Sequence, residues 1–222
     1  MTNRGLVALG DSITNGRGEP ALGVPMQSWA QWLAEALDLP FTKLARDGAQ
    51  ASDVLADLVP RLAGPYDLAC LYIGVNDARS GDWDAAAFER DLRAIAAAMA
   101  ACSDRLALCT LPVDLGRPRA APKPRTASAI VRAVGAEHDA TIVALEDLDG
   151  RPWLFPDAVH PTALGQLEIA DRAARALGAP CLPSSLVEVY DSRRAVARFR
   201  ARWGVLLARD LRRRMVEHVR GS

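Results

Sequence analysis

A three-layer α/β/α sandwich built on a five-stranded parallel sheet, followed by a helical C-terminal extension, is the fold class this sequence predicts. Three observations carry that expectation. Short apolar runs recur along the chain and alternate with stretches of helical periodicity. The 222 residues suit one well-packed domain with an appendage. Half of the residues are hydrophobic and 24% are charged, which is close to the globular average and excludes a fibre or a disordered chain. Strands that alternate with helices make βαβ units, whose right-handed crossovers yield a parallel sheet covered on both faces. An eight-stranded barrel would want about 250 residues and more strands than the runs present.

In chain order, the runs Gly5–Gly10, Phe41–Ala45, Leu68–Ile73, Leu106–Leu111 and Thr141–Leu145 read as strands. Between them, Trp29, Trp32, Leu33, Ala36 and Leu37 keep the i, i+3, i+4, i+7, i+8 spacing of one helix face. Phe88, Leu92, Ile95 and Met99 keep the same period. From Ser185 onward the chain reads as one long helix or two. There Val196, Phe199, Trp203, Leu206, Leu207 and Leu211 trace a drifting apolar stripe, with Arg198, Arg202, Arg209, Arg212 and Arg213 on the opposite side. The expected organisation is a domain over residues 1–180 and a basic amphipathic extension over 181–222.

Charge is balanced overall, at 27 basic and 27 acidic residues, but unevenly placed. The stretch from Cys181 to Ser222 holds ten arginines against Glu188, Asp191, Asp210 and Glu217, leaving the rest of the chain net acidic. An acidic main body argues against nucleic-acid binding, and makes docking of the basic tail on its own domain, or on a second copy of it, electrostatically reasonable. No apolar run reaches the roughly 20 residues of a bilayer span, and no signal peptide precedes the first strand. Cys70, Cys102, Cys109 and Cys181 lack CxxC spacing, so a reducing, cytoplasmic setting is expected. Three histidines with no HxH or HExxH spacing make no metal centre, and no Walker or GxGxxG loop follows the first strand. Neither metal nor cofactor is expected.

In a parallel sheet, chemistry gathers in the loops at the carboxyl ends of the strands. Those loops carry Gly10-Asp11-Ser12, Arg46-Asp47-Gly48, Gly74-Val75-Asn76-Asp77 and, after the last strand, Asp157-Ala158-Val159-His160. Acyl transfer needs a nucleophile, a base, a group that orients the base and donors for an oxyanion. Ser12 at a helix start, His160 and Asp157 three residues before it suit the first three roles. Taken singly, each has a plainer reading: Ser12 as an N-cap, Asp157 and His160 as a cap before Pro161, Asn76-Asp77 as an Asx turn, Gly48 as a left-handed backbone position. Their joint occurrence at the ends of four strands is not required by structure alone.

In order and spacing, the four blocks resemble those of the GDSL, or SGNH, hydrolase family over about residues 5–178. The resemblance implies a flavodoxin-like sheet, a Ser12 nucleophile, His160 as general base and acid, and Asp157 as its partner. It also implies an oxyanion hole made of the Ser12 and Gly48 backbone N–H groups and the Asn76 side-chain amide. The implied activity is hydrolysis of a small-molecule carboxylic ester through an acyl-enzyme. Asp77 reads as a loop-shaping residue. Asp11, Trp153 and Phe155 are candidates for the substrate pocket, and residues 112–125, with four prolines, for a stiff lid or an extended connector. An acyltransferase or acetyl-sugar deacetylase using the same residues, and a scaffold protein assembling through its C-terminal helix, are the alternatives.

Overall fold

The computed structural model describes residues 4–115, 122–190 and 192–220, without the side chains of residues 214 and 217–220. The middle of the 112–125 segment, residues 116–121, therefore lies outside the described residues.

Five strands form one parallel sheet: β1 (Leu6–Gly10), β2 (Phe41–Ala45), β3 (Leu68–Tyr72), β4 (Leu106–Cys109) and β5 (Thr141–Val143), in the spatial order β2-β1-β3-β4-β5. β1 sits between two partners, Leu6 pairing with Phe41 on one side and Leu68 on the other. β1, β3 and β4 are buried throughout, as strands covered on both faces must be, whereas the edge strands β2 and β5 are only partly covered.

The last three strands stop one or two residues short of their apolar runs. Ile73, Leu111 and Leu145 stay buried, and at the last two a side chain satisfies the amide that a ladder would otherwise pair. The Leu111 N–H donates to Ser128 Oγ at 3.0 Å and the Leu145 N–H to Thr110 Oγ1 at 2.8 Å. An unpaired buried amide is costly, so these hydroxyls let the chain leave the sheet and enter its functional loops without loss.

The helices are α1 (Ser12–Asn15), α2 (Trp29–Ala36), α3 (Ala51–Asp53), α4 (Val75–Arg79), α5 (Ala85–Ala100), α6 (Lys123–Glu137), α7 (Ala163–Leu177) and α8 (Arg193–Arg220). α3 runs on through a π turn, Val54–Leu58. On one face of the sheet α2 packs against α7; on the other α5 packs against α6 and the π turn. Trp29, Leu33, Phe88, Leu92, Ile95 and Met99, the residues on the expected stripes, are buried in the core. Trp29 meets Tyr72 edge to face at 6.4 Å.

A short 3-10 turn, Pro183–Leu186, leads toward the single long helix α8. α8 lies on its own domain. Arg202 grips Glu19 with Nε and Nη2, Trp203 Nε1 donates to the Leu154 carbonyl at 3.4 Å, and the Arg151 guanidinium stacks 4.6 Å over the Trp203 ring. Phe199 packs against the core, while Leu211 is left exposed. Three parts of the expected stripe thus change: Leu211 leaves the docking face, Arg202 joins its edge because Glu19 offers a carboxylate there, and Arg213 joins it beside Asp210. All four cysteines are free, and among the described residues no helix is long and apolar enough to cross a membrane.

Candidate active site

Ser12 stands where β1 turns into α1 without an intervening loop. The turn requires Gly10: a Cβ there would strike the Thr14 hydroxyl and the Tyr72 carbonyl. Asp11, not Ser12, is the N-cap of α1, its Oδ1 accepting the Ile13 N–H at 2.9 Å. With the cap supplied by its neighbour, the Ser12 hydroxyl faces the carboxyl edge of the sheet, 3.0 Å from His160 Nε2.

His160 arrives on the loop that follows β5. That loop is closed on itself: Phe155 N–H donates to the His160 carbonyl at 2.9 Å and Thr162 N–H to the Trp153 carbonyl at 2.8 Å. Between Asp157 and His160 the chain turns through Ala158 at φ +56°, a left-handed conformation that is uncommon for a residue with a side chain. The turn wraps the Asp157 carboxylate around its own loop. Oδ1 accepts the Val159 and His160 N–H groups, each at 3.0 Å, and Oδ2 meets His160 Nδ1 at 2.7 Å. Burial alone would raise the Asp157 carboxyl, but the imidazole contact and the two amides outweigh it and hold the group at about 2.

The neighbouring strand ends supply amides. Gly48 has φ +76° and open space where a Cβ would stand, so its backbone is exposed to whatever enters. Asn76, near the start of α4, donates Nδ2 to the Ala49 carbonyl at 2.9 Å and to Asp11 Oδ2 at 3.1 Å. Asp77 Oδ1 accepts the Ala51 N–H at 3.0 Å, tying α4 to the start of α3. Gly48, Asn76, Asp157 and His160 line one cavity of about 380 Å³. Two carboxyls lie beneath this floor. Burial pushes Asp11 up to about 7, against the pull of the Ile13 amide and His160, and burial likewise raises Asp77 to about 6.

A second cavity, of about 350 Å³, opens on the other side of His160, with Phe155 and Pro156 in its wall. The three pocket candidates occupy different places: Phe155 borders this cavity, Asp11 is buried under the site, and Trp153 packs against the core. Among the described residues, no group of three His, Cys, Asp or Glu side chains could hold a metal ion.

Two contributions escape a reading of the sequence. Gln166, wholly buried in α7, donates Nε2 to the Ile13 carbonyl at 2.9 Å and accepts the Trp29 N–H at 2.8 Å. It joins the helix after the His160 loop to the one that carries Ser12. Leu206, Asp210 and Arg213 of α8 reach the Phe155 cavity, and Arg213 also borders the Asn76 cavity. Nothing local marks these residues; only the helical spacing of the tail pointed to a docking face.

Comparison with known proteins gives one family: the model of the GDSL-like lipase/acylhydrolase family matches residues 8–167. No curated protein matches the chain. Among solved structures, it is similar to LAE5, an alpha/beta hydrolase enzyme from the metagenome of Lake Arreo, at a TM-score of 0.66 and 21% identity, covering 79% of this chain and 95% of that one. It is similar to Axe2, an acetylxylan esterase from Geobacillus stearothermophilus, at 0.61 and 19%, covering 80% and 95%. It is also similar to TesA, at 0.62 and 24%, covering 78% and 97%. At these identities the likeness to the solved structures speaks for the fold.

Proposed function

The chain belongs to the GDSL-like lipase/acylhydrolase family and is an esterase or lipase; from that premise we propose that Ser12, His160 and Asp157 are its catalytic triad, acting on a small-molecule carboxylic ester. The observation that carries this reading is the continuous contact Ser12 Oγ to His160 Nε2 at 3.0 Å and His160 Nδ1 to Asp157 Oδ2 at 2.7 Å.

In this mechanism His160 Nε2 takes the Ser12 proton as Oγ attacks the ester carbonyl. Asp157 holds Nδ1 protonated and stabilises the imidazolium that forms. The tetrahedral oxyanion is received by the N–H groups of Ser12 and Gly48 and by Asn76 Nδ2. Asn76 already has two acceptors, Ala49 and Asp11. The oxyanion must therefore share or displace the longer of these bonds, the one to Asp11. The imidazolium next protonates the leaving alcohol, and water, activated by the same imidazole, releases the acid and restores Ser12.

Residues 1–180 form the hydrolase domain and 181–222 its extension in this proposal. A cytoplasmic setting belongs to it too, supported by the buried, free thiols of Cys70 and Cys109. The test is Ser12→Ala assayed on 4-nitrophenyl acetate, together with mass analysis after treatment with a fluorophosphonate. Expected are a loss of turnover of about 10³-fold or more and an adduct on Ser12 of the unsubstituted protein alone. Full turnover by Ser12→Ala would refute the assignment.

A further inference from the structure

The docking face of α8 is set by helical spacing. Phe199, Arg202, Trp203, Leu206, Asp210 and Arg213 succeed one another at steps of three, one, three, four and three, so all six lie on one side of the helix. The first three anchor it, through the core, Glu19 and Leu154. The last three are thereby carried over the site.

The result is a cleft with one wall from outside the family domain, since the family match ends at residue 167. The Phe155 cavity and the Asn76 cavity share Asp157, His160 and Arg213 as lining residues. In the Phe155 cavity Arg17 and Arg213 stand against Glu19, Asp157 and Asp210, so an arm of the ester that carries negative charge is better received in the Asn76 cavity, beside Arg213. Asp210, 9% exposed, meets the Arg213 guanidinium at 3.1 Å and steadies it, while 58% of the Arg213 side chain remains accessible.

Charge suggests what Arg213 meets there. The Asn76 cavity is bordered by two guanidinium groups, Arg79 and Arg213, and by one carboxylate, Asp157. That carboxylate is turned to His160 Nδ1 and to two backbone amides. Arg79 is held in place by donating Nη1 to the carbonyls of Leu115 and Asp157. A carboxylate on the substrate would meet these two cationic groups and share their N–H donors with the partners that they already hold.

We propose that Arg213, delivered by α8, is a substrate-contacting specificity residue that favours esters bearing a carboxylate near the scissile bond. The inference rests on the triad reading, and it deepens that reading by naming a substrate class and the residue that selects it.

The test compares two substrates that differ only in the end of the acyl arm, 4-nitrophenyl hexanoate and 4-nitrophenyl hydrogen adipate, on the full chain. The readout is the ratio of kcat/KM for the charged ester to that for the neutral one. Arg213→Ala is expected to lower this ratio about tenfold, mainly through KM, and Arg213→Lys to lower it less. Arg202→Ala, which removes the Glu19 clamp, should move the ratio the same way by loosening the helix that carries Arg213. A parallel pair, phenyl acetate and 4-carboxyphenyl acetate, puts the charge on the alcohol arm. Ratios that Arg213→Ala leaves unchanged in both pairs overturn the proposal. Fluorophosphonate labelling of Ser12 separates the two readings. An adduct with unchanged ratios removes only the role of Arg213, whereas no adduct on the unsubstituted protein removes the triad and this inference with it.

Discussion

Gln166 and Ile13 are joined by a buried hydrogen bond, the Gln166 Nε2 donating to the Ile13 carbonyl at 2.9 Å. The same amide accepts the Trp29 N–H through Oε1 at 2.8 Å. Because α7 begins just after the His160 loop and α1 bears Ser12, this side chain spans the two halves of the site. Gln166→Leu conserves much of the volume, removes both hydrogen bonds and leaves the Trp29 N–H buried without a partner while the Ile13 carbonyl keeps only the Gly16 N–H, a loss of about 2–4 kcal/mol. At about 2–4 °C per kcal/mol for a chain of this size, Tm is expected to fall by roughly 5–15 °C. A calorimetric Tm within a degree of the unsubstituted protein would show that α1 and α7 are held together by other means.

Asp157 offers a test of the imidazole's partner. Its carboxylate fixes Nδ1 as the protonated nitrogen and leaves Nε2 to accept the Ser12 proton. Asp157→Asn preserves the shape but presents an amide to Nδ1, favouring the wrong tautomer. A drop in kcat of about 10³–10⁴-fold with little change in KM is expected. Since the folded carboxyl sits at about 2, below its ordinary value, its contribution to stability is complete above pH 4 or so and disappears as pH falls toward 2. Acid-unfolding curves should accordingly converge for the two proteins below that window. A variant with undiminished kcat would remove Asp157 from the mechanism.

The residues of the candidate site were legible in the sequence for a local reason, and the frame around them was not. Ser12, Gly48 and Asn76 each closely follow an apolar run that ends in a polar, glycine-containing turn, whereas the Asp157–His160 pair lies farther from its run and is marked by its own spacing before Pro161. Gln166 carries no such mark. A polar residue in an amphipathic helix normally faces water, and only the tertiary meeting of α1, α2 and α7 turns it into a core amide. Arg213 reads as solvated on the wheel, yet the Arg202–Glu19 clamp settles how the helix is rolled. Strand ends were overrun for a related reason. The apolar runs through Leu111 and Leu145 report burial, whereas the Ser128 and Thr110 hydroxyls decide where pairing stops.

Asp11 provides a pH-dependent prediction. Burial holds its carboxyl at about 7, with His160 and the Ile13 amide pulling it down and Asp77 pushing it up. A carboxyl raised in the fold binds more protons there than in the unfolded chain. Its contribution to stability is present below about pH 4 and is lost as pH rises through about 7. Asp11→Asn cannot ionise and should escape that loss. The Tm of the variant, taken relative to the unsubstituted protein, is expected to shift upward by several degrees between about pH 5 and pH 8.5. A constant difference across that range would mean that Asp11 is already charged at pH 5.

Asn76 and Asp11 together make a prediction about the oxyanion. The Asn76 amide lies between the Ala49 carbonyl and Asp11 Oδ2, and the bond to Asp11 is the longer at 3.1 Å against 2.9 Å. In the transition state the developing charge competes with the Asp11 carboxylate for the same proton. Asn76→Ala removes the donor and should lower kcat by about 10²–10³-fold while KM stays within a few-fold. Asp11→Ala frees the amide from its competitor but also unties it and uncaps α1, so its kcat is expected to fall by a smaller factor than that of Asn76→Ala. In the double variant the losses should be less than multiplicative, because Asp11 acts on the reaction through a donor that is no longer there. Fully multiplicative losses would place Asp11 and Asn76 in separate roles, and the shared hydrogen bond would then have no part in receiving the oxyanion.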